Sequence, residues 1–436
     1  MLLSFELTNF GSFKETAFLD FTRRSFKTLQ PKDGNWIDAT QPAVGIWGAN
    51  ASGKSTVLRA LISLARVLWL PIGANRTLSG LNDPHRLSEV DESTFVLEFE
   101  SCGVRFRWSI CISSKGITSE KFDASDKSKW KKLIRREGSE ISFGPSSRIP
   151  QEARSFIRQA STEQVSSVQA WVHSKDGGPY VHGPQYLRKH VRILHPTGIY
   201  PRETSRFVEN LLKDEQWRKA AVQLLQYADL GISDLNLEEK EEILSKEVLD
   251  FFAAFMRAQD GDGSETPISE MEVEISLLHG TEAKGFTLPL SNESDGTRTW
   301  LETALPALFT VVHGDVLIID EIDDSLHPHL VRRLIGLFTD KELNGQGAQL
   351  LFTTHDSTLL GKYPTPAIEK EASWFTEKQQ HESFLYSLDE FDVRESNNPE
   401  KQYLMGKYGA VPEQENLYLE SELFSSQNEL ASQVGK

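Results

Sequence analysis

Cysteine is scarce in this 436-residue chain. Only Cys102 and Cys111 are present, too few for a disulfide framework in a protein of this size. No apolar run approaches the roughly 20 residues that a membrane-spanning helix needs. The opening sequence MLLSFELTNF has neither the basic start nor the small-residue cleavage site of a signal peptide. These absences predict a protein of the reducing cytoplasm.

Basic charge is in deficit, because 63 acidic residues outnumber 47 basic ones and give a net charge of −16. Such an excess argues against a surface coated in nucleic-acid-binding charge. The charge is uneven, however: residues 229–293 are strongly acidic, whereas residues 115–158 are locally basic. Hydrophobic residues at 39% and aromatic residues at 10% exclude a wholly disordered chain and leave room for two or three domains.

Hydrophobic periodicity divides the chain into parts. Alternating residues at the start, an apolar run at 43–47 and strand-like runs up to 143 predict an α/β region with an antiparallel meander. Helical spacing then dominates, and buried-strand patterns alternating with helices return near 271. We therefore expect an α/β fold with an antiparallel β subdomain and an inserted helical subdomain. The expected parts are 1–145 (N-terminal part of the α/β domain), 146–270 (helical insertion), 271–412 (C-terminal part of that domain) and 413–436 (polar tail).

A phosphate-binding sequence follows the apolar run at 43–47. Residues 48–55 read GANASGKS, a full match to G-x-x-x-x-G-K-[ST] between a predicted strand and a predicted helix. Such a loop curls so that its backbone N–H groups point at phosphates, while Lys54 supplies positive charge and the Ser55 hydroxyl binds Mg²⁺. The sequence therefore predicts ATP and Mg²⁺ as cofactors. The residues expected to contact the nucleotide are Gly48, Asn50, Ser52, Gly53, Lys54, Ser55 and Thr56.

Two later strands end in residues suited to catalysis. Residues 316–321 read VLIIDE, so Asp320 and Glu321 emerge at the carboxyl edge of a buried strand, where open α/β sheets bind ligands. We expect Asp320 to hold Mg²⁺ and Glu321 to polarise the attacking water. His355 follows the next buried strand and is the candidate for sensing the γ-phosphate. Taken singly, these residues also fit a solvated acidic turn and a structural histidine; their combination with the phosphate loop favours catalysis.

In this order the motifs resemble those of ABC-type ATPases of the SMC and RecF branch. The sequence LTNFGSF at 7–13 is similar to the first-strand motif of that branch. The resemblance implies a signature loop, for which residues 291–298 are the matching place, with Ser294 and Gly296 at the positions of the family's serine and second glycine. It also implies that these two residues act on ATP held by a facing subunit of a homodimer or higher homo-oligomer. An ordinary capped helix start is the plain alternative for this segment.

More narrowly, four segments look like the RloA-type, AAA-like ATPases of bacterial anti-phage defence systems. They are ESDGT (293–297), DEIDDSLHP (320–328), TTHD (353–356) and YLMGKYGAVP (403–412). The resemblance covers about residues 1–145 and 270–412. It implies a sensor or switch that controls a separately encoded toxin or nuclease effector through ATP-dependent assembly. Two departures stand out: Leu326-His327 differs from the D-loop of transporters, and residues 83–86 (DPHR) occupy the place of a Q-loop glutamine.

A second function stays open from the sequence. RecF-like and SMC-like ATPases act directly on DNA in repair or recombination, and the basic segment 127–136, which includes Trp130, motivates a DNA contact here. The plain alternative for that segment is a strand edge kept basic against aggregation. The overall acidic charge and the defence-type motifs favour the first function.

Overall fold

The computed structural model describes residues 1–72, 78, 80–126, 129–194, 201–228, 230–241, 271–281, 284–362, 365–391 and 398–411. Apolar residues at helical spacing predict a helix around 243–255. That segment and the predicted tail 413–436 lie outside the described residues. Among the described residues, no helix combines the length and apolar character needed to span a bilayer.

The described chain alternates between strands and helices. The strands are β1 (Leu2–Thr8), β2 (Ala17–Asp20), β3 (Ala43–Gly48), β4 (Glu92–Ser101), β5 (Val104–Ser113), β6 (Gly116–Ser125), β7 (Lys131–Glu137), β8 (Glu140–Phe143), β9 (Val191–Leu194), β10 (Ile232–Glu241), β11 (Met271–His279), β12 (Phe286–Pro289), β13 (Val316–Ile319), β14 (Gln349–Thr353), β15 (Ser373–Gln379) and β16 (Glu382–Ser387). The helices are α1 (Trp36–Ala39), α2 (Lys54–Trp69), α3 (Gln151–Ala160), α4 (Ser167–Val172), α5 (His182–His190), α6 (Pro201–Leu212), α7 (Glu215–Tyr227), α8 (Asp295–His313), α9 (Pro328–Thr339) and α10 (Pro399–Leu404).

The central sheet has six strands in the order β16-β15-β3-β14-β13-β9. All neighbouring pairs except the β15–β16 hairpin are parallel. Strands β3, β13 and β14 are buried along their whole length, because helices cover both faces of a parallel sheet and each strand is a continuous apolar run. Their carboxyl ends therefore meet at one edge, where the three sequence motifs lie.

A second sheet has seven antiparallel strands in the order β2-β1-β4-β5-β6-β7-β8. The predicted meander is confirmed, and the structure adds β6, whose sequence GITSEKFDAS carries too many polar residues to stand out as a strand. Glu120 of β6 is fully buried and accepts hydrogen bonds from Trp108 Nε1 (2.9 Å), Ser166 Oγ (2.5 Å) and Ser167 N–H (2.7 Å). These bonds satisfy the buried carboxylate and fasten the start of α4 to this sheet.

The segment predicted as a helical insertion is not helical throughout. It contains α3 to α7, but its residues Val191–Leu194 form the edge strand β9 of the central sheet, parallel to β13. The buried carboxylate of Asp315, which directly precedes β13, accepts hydrogen bonds from His190 Nδ1 (2.6 Å) and Arg192 Nε (2.9 Å). A run of only four residues with an arginine at its second position is too short to show the periodicity of a strand. The mixed α/β class with an antiparallel sheet is confirmed; the limits at 145 and 270 stay predictions.

Candidate nucleotide-binding site

Two glycines shape the loop between β3 and α2. Gly48 has φ +154° and Gly53, which precedes the first turn of α2, has φ +115°, conformations that residues with a side chain rarely adopt. Space excludes a side chain as well, because a Cβ on Gly48 would lie 2.4 Å from the carbonyl oxygen of Thr376. The loop therefore curls tightly around its centre, as the GANASGKS sequence predicts.

Lys54 extends back into this loop from the first turn of α2. The side chain is buried, and Nζ donates hydrogen bonds to the carbonyl oxygens of Gly48 (2.9 Å) and Ala49 (3.1 Å). Burial lowers the pKa of Lys54, and the nearby carboxylates of Glu321 and Asp320 oppose that shift. The amine thus places a positive charge inside the loop, which suits it to bind an anion, and the nearby carboxylates favour its protonated form.

The Ser55 and Asp320 side chains meet at the carboxyl edge of the central sheet, although 265 residues separate them. Asp320 Oδ1 accepts a hydrogen bond from Ser55 Oγ (3.2 Å) and another from Thr353 Oγ1 (2.5 Å). A hydroxyl and a carboxylate oxygen at this distance are the hard ligands that Mg²⁺ prefers. Within the described residues no group of three or more histidine, cysteine and acidic side chains offers another metal site.

Glu321 is exposed beside Asp320 in an unusual backbone conformation. Its φ of +54° lies in the left-handed region that non-glycine residues seldom occupy. Its N–H donates to Thr353 Oγ1 (2.8 Å), and the next N–H, of Ile322, donates to the carbonyl oxygen of Thr353 (3.0 Å). The end of β14 therefore holds the strained turn in place, and strain of this kind concentrates at functional sites.

His355 lies two residues beyond β14, at the same edge of the sheet. Its imidazole is exposed, and its backbone N–H donates to both carboxylate oxygens of Asp323, at 3.3 and 3.2 Å. The indole Nε1 of Trp47 donates to the carbonyl oxygen of Asp356 (2.9 Å) and fixes the following residue. Thus β3, β13 and β14 each position part of one site.

The matching place for a signature loop opens α8. Ser294 is an exposed residue and the N-cap, and its Oγ accepts a hydrogen bond from the N–H of Thr297 (3.2 Å). A Cβ on Gly296 would lie 3.3 Å from the carbonyl oxygen of Ser325, in the turn after β13. Among the described residues, no hydrogen bond joins Ser294 or Gly296 to the phosphate loop of the same chain. The role of these two residues toward ATP stays a proposal.

Residues 83–86, in the place of a Q-loop, pack beside the first-strand loop. The carboxylate of Asp83 forms an ion pair with Arg59 (2.9 Å), and its carbonyl oxygen accepts a hydrogen bond from the N–H of Gly11 (2.7 Å). His85 Nε2 lies 3.0 Å from the carbonyl oxygen of His381 in the β15–β16 turn. This segment joins the β16 hairpin to the start of the chain; we assign it no catalytic role.

Thr353 is a site residue that the sequence motifs do not single out. Its hydroxyl donates to Asp320 and accepts from Glu321, so one buried side chain orients both acidic residues. A threonine ending an apolar strand is common, and only the pairing of β13 with β14 brings it to the acidic pair.

Replacing Thr353 with valine is expected to slow ATP hydrolysis about tenfold, because an isosteric methyl removes both hydrogen bonds and leaves the Glu321 N–H unsatisfied. ATP affinity should change less, since the phosphate loop is untouched. Thr353→Ser keeps the hydroxyl and serves as the matched control. Turnover and nucleotide affinity measured on all three proteins check this; equal turnover in the valine variant and the wild type would show that Thr353 has no orienting role.

The glycine loop closes around a lysine, and a serine, two acidic residues and a histidine lie along the same edge of the sheet. This arrangement defines a P-loop ATPase domain. Residues 44–361 match the family model described as "AAA domain, putative AbiEii toxin, Type IV TA system". The match spans most of the chain, and the protein belongs to this family.

Comparison with solved structures finds similarity to the SMC head domain from Thermotoga maritima. The two chains share 14% sequence identity, with a TM-score of 0.44 over 90% of this chain and 99% of that chain. No curated protein matches the chain.

Proposed function

We propose that this protein binds and slowly hydrolyses ATP and that the nucleotide state switches its assembly. One observation carries the proposal. The Lys54 amine, the Ser55 and Asp320 oxygens, Glu321 and His355 all lie at the carboxyl ends of β3, β13 and β14, which are adjacent in the sheet. This is the edge where ligands of parallel α/β sheets bind.

The residues present fit Mg²⁺ and a triphosphate. Ser55 Oγ and Asp320 Oδ1 are the atoms that would hold the metal, directly or through water, and Lys54 with the loop N–H groups would hold the phosphates. When bound, Mg²⁺ supplies charge neutralisation for the phosphate oxygens. We assign the remaining loop contacts to Gly48, Asn50, Ser52, Gly53 and Thr56.

For hydrolysis, we assign Glu321 as the group that accepts proton density from the attacking water. An exposed carboxylate beside the metal-binding carboxylate is in the right chemical class for this step. His355 is assigned to contact the γ-phosphate from the end of the neighbouring strand. Thr353 and Asp323 would hold these two residues in place through the hydrogen bonds described above.

We further propose that the site is completed by a second copy of the chain. Ser294 and Gly296 lie at an exposed helix N-terminus, which favours negative charge. In the part of the chain that the structure describes, they make no hydrogen bond to their own phosphate loop. A facing subunit could then present them to ATP. Contacts that exist only in the nucleotide-bound dimer shift the equilibrium toward that dimer, and hydrolysis releases it.

In the cell, we propose that this switch serves anti-phage defence and controls a separately encoded toxin or nuclease. The description of the matching family names an AAA domain together with a putative AbiEii toxin and a type IV toxin–antitoxin system. The strong acidic balance of the chain, −16, fits a protein partner better than nucleic acid. Cytoplasmic localisation is part of this proposal.

A direct DNA contact through the basic segment is the weaker alternative, because three of the four cationic side chains of β7 already have partners. Lys131 Nζ contacts Asp126 (2.5 Å) and Tyr180 (3.0 Å), and Arg135 pairs with Asp123. Arg136 is buried and donates to three backbone carbonyl groups. With three of its four cations engaged internally, this strand has little charge left for phosphates.

Glu321→Gln is the central test of the enzymatic part. The amide keeps the shape of the side chain but cannot accept a proton, so hydrolysis should fall by roughly 100-fold or more while ATP binding persists. With ATP, size measurement should show a larger species that outlasts the wild-type assembly. Turnover equal to that of wild type would remove Glu321 from catalysis.

The same variant tests the effector part. The chain and the protein encoded beside it are co-expressed, and capture of that neighbour is compared between wild type and Glu321→Gln, with and without ATP. If the protein is the proposed switch, the amount of the neighbouring protein that is captured should depend on the nucleotide state. No capture in any state, with both proteins soluble, would count against effector control and leave ATP hydrolysis standing.

A further inference from the structure

A threonine hydroxyl of β15 lies buried against the phosphate loop. Thr376 is the register partner of Gly48 in the parallel pair β15–β3, and its Oγ1 lies 2.6 Å from Ser52 Oγ. Thr376 Oγ1 also donates to the carbonyl oxygen of Trp47 (3.3 Å). Because that bond uses the Thr376 proton, Ser52 is the donor in the bond between the two hydroxyls. A directed chain therefore runs from Ser52 through Thr376 to the end of β3.

The phosphate loop packs tightly around the hydrogen bond between Ser52 and Thr376. Ser52 is only 2% exposed and Thr376 is fully buried. A Cβ on Gly48 would lie 2.5 Å from Thr376 Oγ1 and 2.6 Å from Ser52 Oγ, so no methyl group fits there. The carbonyl group of Gly48 in turn accepts the hydrogen bond from Lys54 Nζ. The position of Thr376 is thus linked through one glycine to the position of the lysine amine.

Aromatic residues from a later part of the chain pack against strand β15. The ring of Phe375, next to Thr376, stacks on Tyr403 (5.4 Å between centroids) and on Tyr408 (5.7 Å). Both tyrosines belong to the motif that begins at 403, whose described part, 403–411, packs against the β15–β16 hairpin. The packing of this motif therefore stabilises the strand that carries Thr376.

We infer that Thr376 is a positioning residue for the phosphate loop, an inference that rests on the proposed ATP site. Without the Thr376 hydroxyl, the Ser52 hydroxyl loses the one acceptor that it has among the described residues. A buried hydroxyl without a partner favours loop conformations that turn it toward water. ATP would then bind only the molecules whose loop is correctly curled. Its apparent affinity would be the intrinsic affinity multiplied by the fraction of such molecules.

The test compares Thr376→Val with two matched variants. Valine is expected to raise the dissociation constant for a fluorescent ATP analogue roughly tenfold, and KM for ATP more than it lowers kcat. Thr376→Ser should bind within about twofold of wild type, because the hydroxyl is kept. Ser373→Ala removes another buried hydroxyl of β15, one bonded to the carbonyl oxygen of Glu369 (3.2 Å), and should leave affinity unchanged. Binding is measured well below the unfolding temperature of every variant.

A double variant identifies the bond itself. If valine acts by orphaning the Ser52 hydroxyl, adding Ser52→Ala to Thr376→Val removes that hydroxyl and should recover part of the lost affinity. Additive losses would instead show two independent effects and would overturn the inference.

Three further outcomes would also overturn it. Affinity in Thr376→Val equal to wild type, while Lys54→Met loses binding, would leave the ATP site in place and remove Thr376 from it. Equal losses in Thr376→Val and Ser373→Ala would mean general weakening of β15. If Lys54→Met also binds as wild type does, the proposed ATP site and the inference fail together.

Discussion

Lys54→Met is expected to lose ATP affinity by roughly 30-fold to several thousand-fold, the range for removing one partner of a buried, hydrogen-bonded charge contact. Methionine keeps the apolar stem that fills the loop and removes only the charged end. The amine lies inside the loop, with hydrogen bonds of 2.9 and 3.1 Å to the carbonyl groups of Gly48 and Ala49. It therefore places a positive charge inside the loop that is expected to bind the phosphates.

Lys341→Met supplies the control for this variant, because Lys341 is a surface lysine with an 85% exposed side chain. Its loss changes net charge equally and should leave ATP affinity unchanged. Titration with nucleotide, together with thermal unfolding of each protein, separates binding from folding. A well-folded Lys54→Met that binds ATP like the wild type would show that residues 48–55 are not the phosphate site.

Local sequence determines the parts of the site that could be predicted. A strand buried on both faces must be apolar throughout, which marks β3, β13 and β14, and the residue after each one must lie at the sheet edge. The curl of the loop follows from the glycines at 48 and 53, whose conformations few other residues accept. Lys54 and Asp320 were therefore predictable as neighbours before any distance was known.

The parts of the site that could not be predicted depend on the order of the strands in the sheet. Thr353 and Thr376 reach the site only because β14 lies between β13 and β3, and β15 lies on the other side of β3. A hydroxyl at the end of an apolar strand has the same sequence pattern whether it faces a catalytic acid or a carbonyl group. The strand β9 was missed for a related reason: four residues are too few to show a period, and its partner Asp315 is more than 100 residues away in the chain.

Ser294→Asp is expected to bind ATP but hydrolyse it at least about tenfold more slowly than wild type, if a facing subunit presents this position to the γ-phosphate. Aspartate caps helices as well as serine does, so α8 should begin as before while a carboxylate is added at an exposed site. Like charge then opposes the phosphate across the interface. Ser294 suits this test better than Gly296, where even a Cβ would lie 3.3 Å from the Ser325 carbonyl oxygen.

Ser294→Asn is the matched control, because asparagine also caps the helix and carries no charge. It should retain much more activity than the aspartate variant. The phosphate loop of each variant is unchanged, and both should therefore bind ATP within a few-fold of wild type. Equal activity in the aspartate variant and the wild type would show that position 294 does not face a phosphate.

Mixing two nearly inactive chains then tests whether the site is shared. A Ser294→Asp chain brings a working phosphate loop, and a Lys54→Met chain brings a working signature serine, so each heterodimer contains one complete site. With random exchange at equal amounts, half of the dimers are mixed and each has one of two sites, which allows recovery of at most about a quarter of wild-type ATPase activity. Differently tagged subunits confirm exchange by co-purification. Recovery of this size requires residues from both chains at one ATP, because neither homodimer can supply both. If exchange is confirmed and activity does not return, the site is complete within one chain, and Ser294 is a helix cap alone.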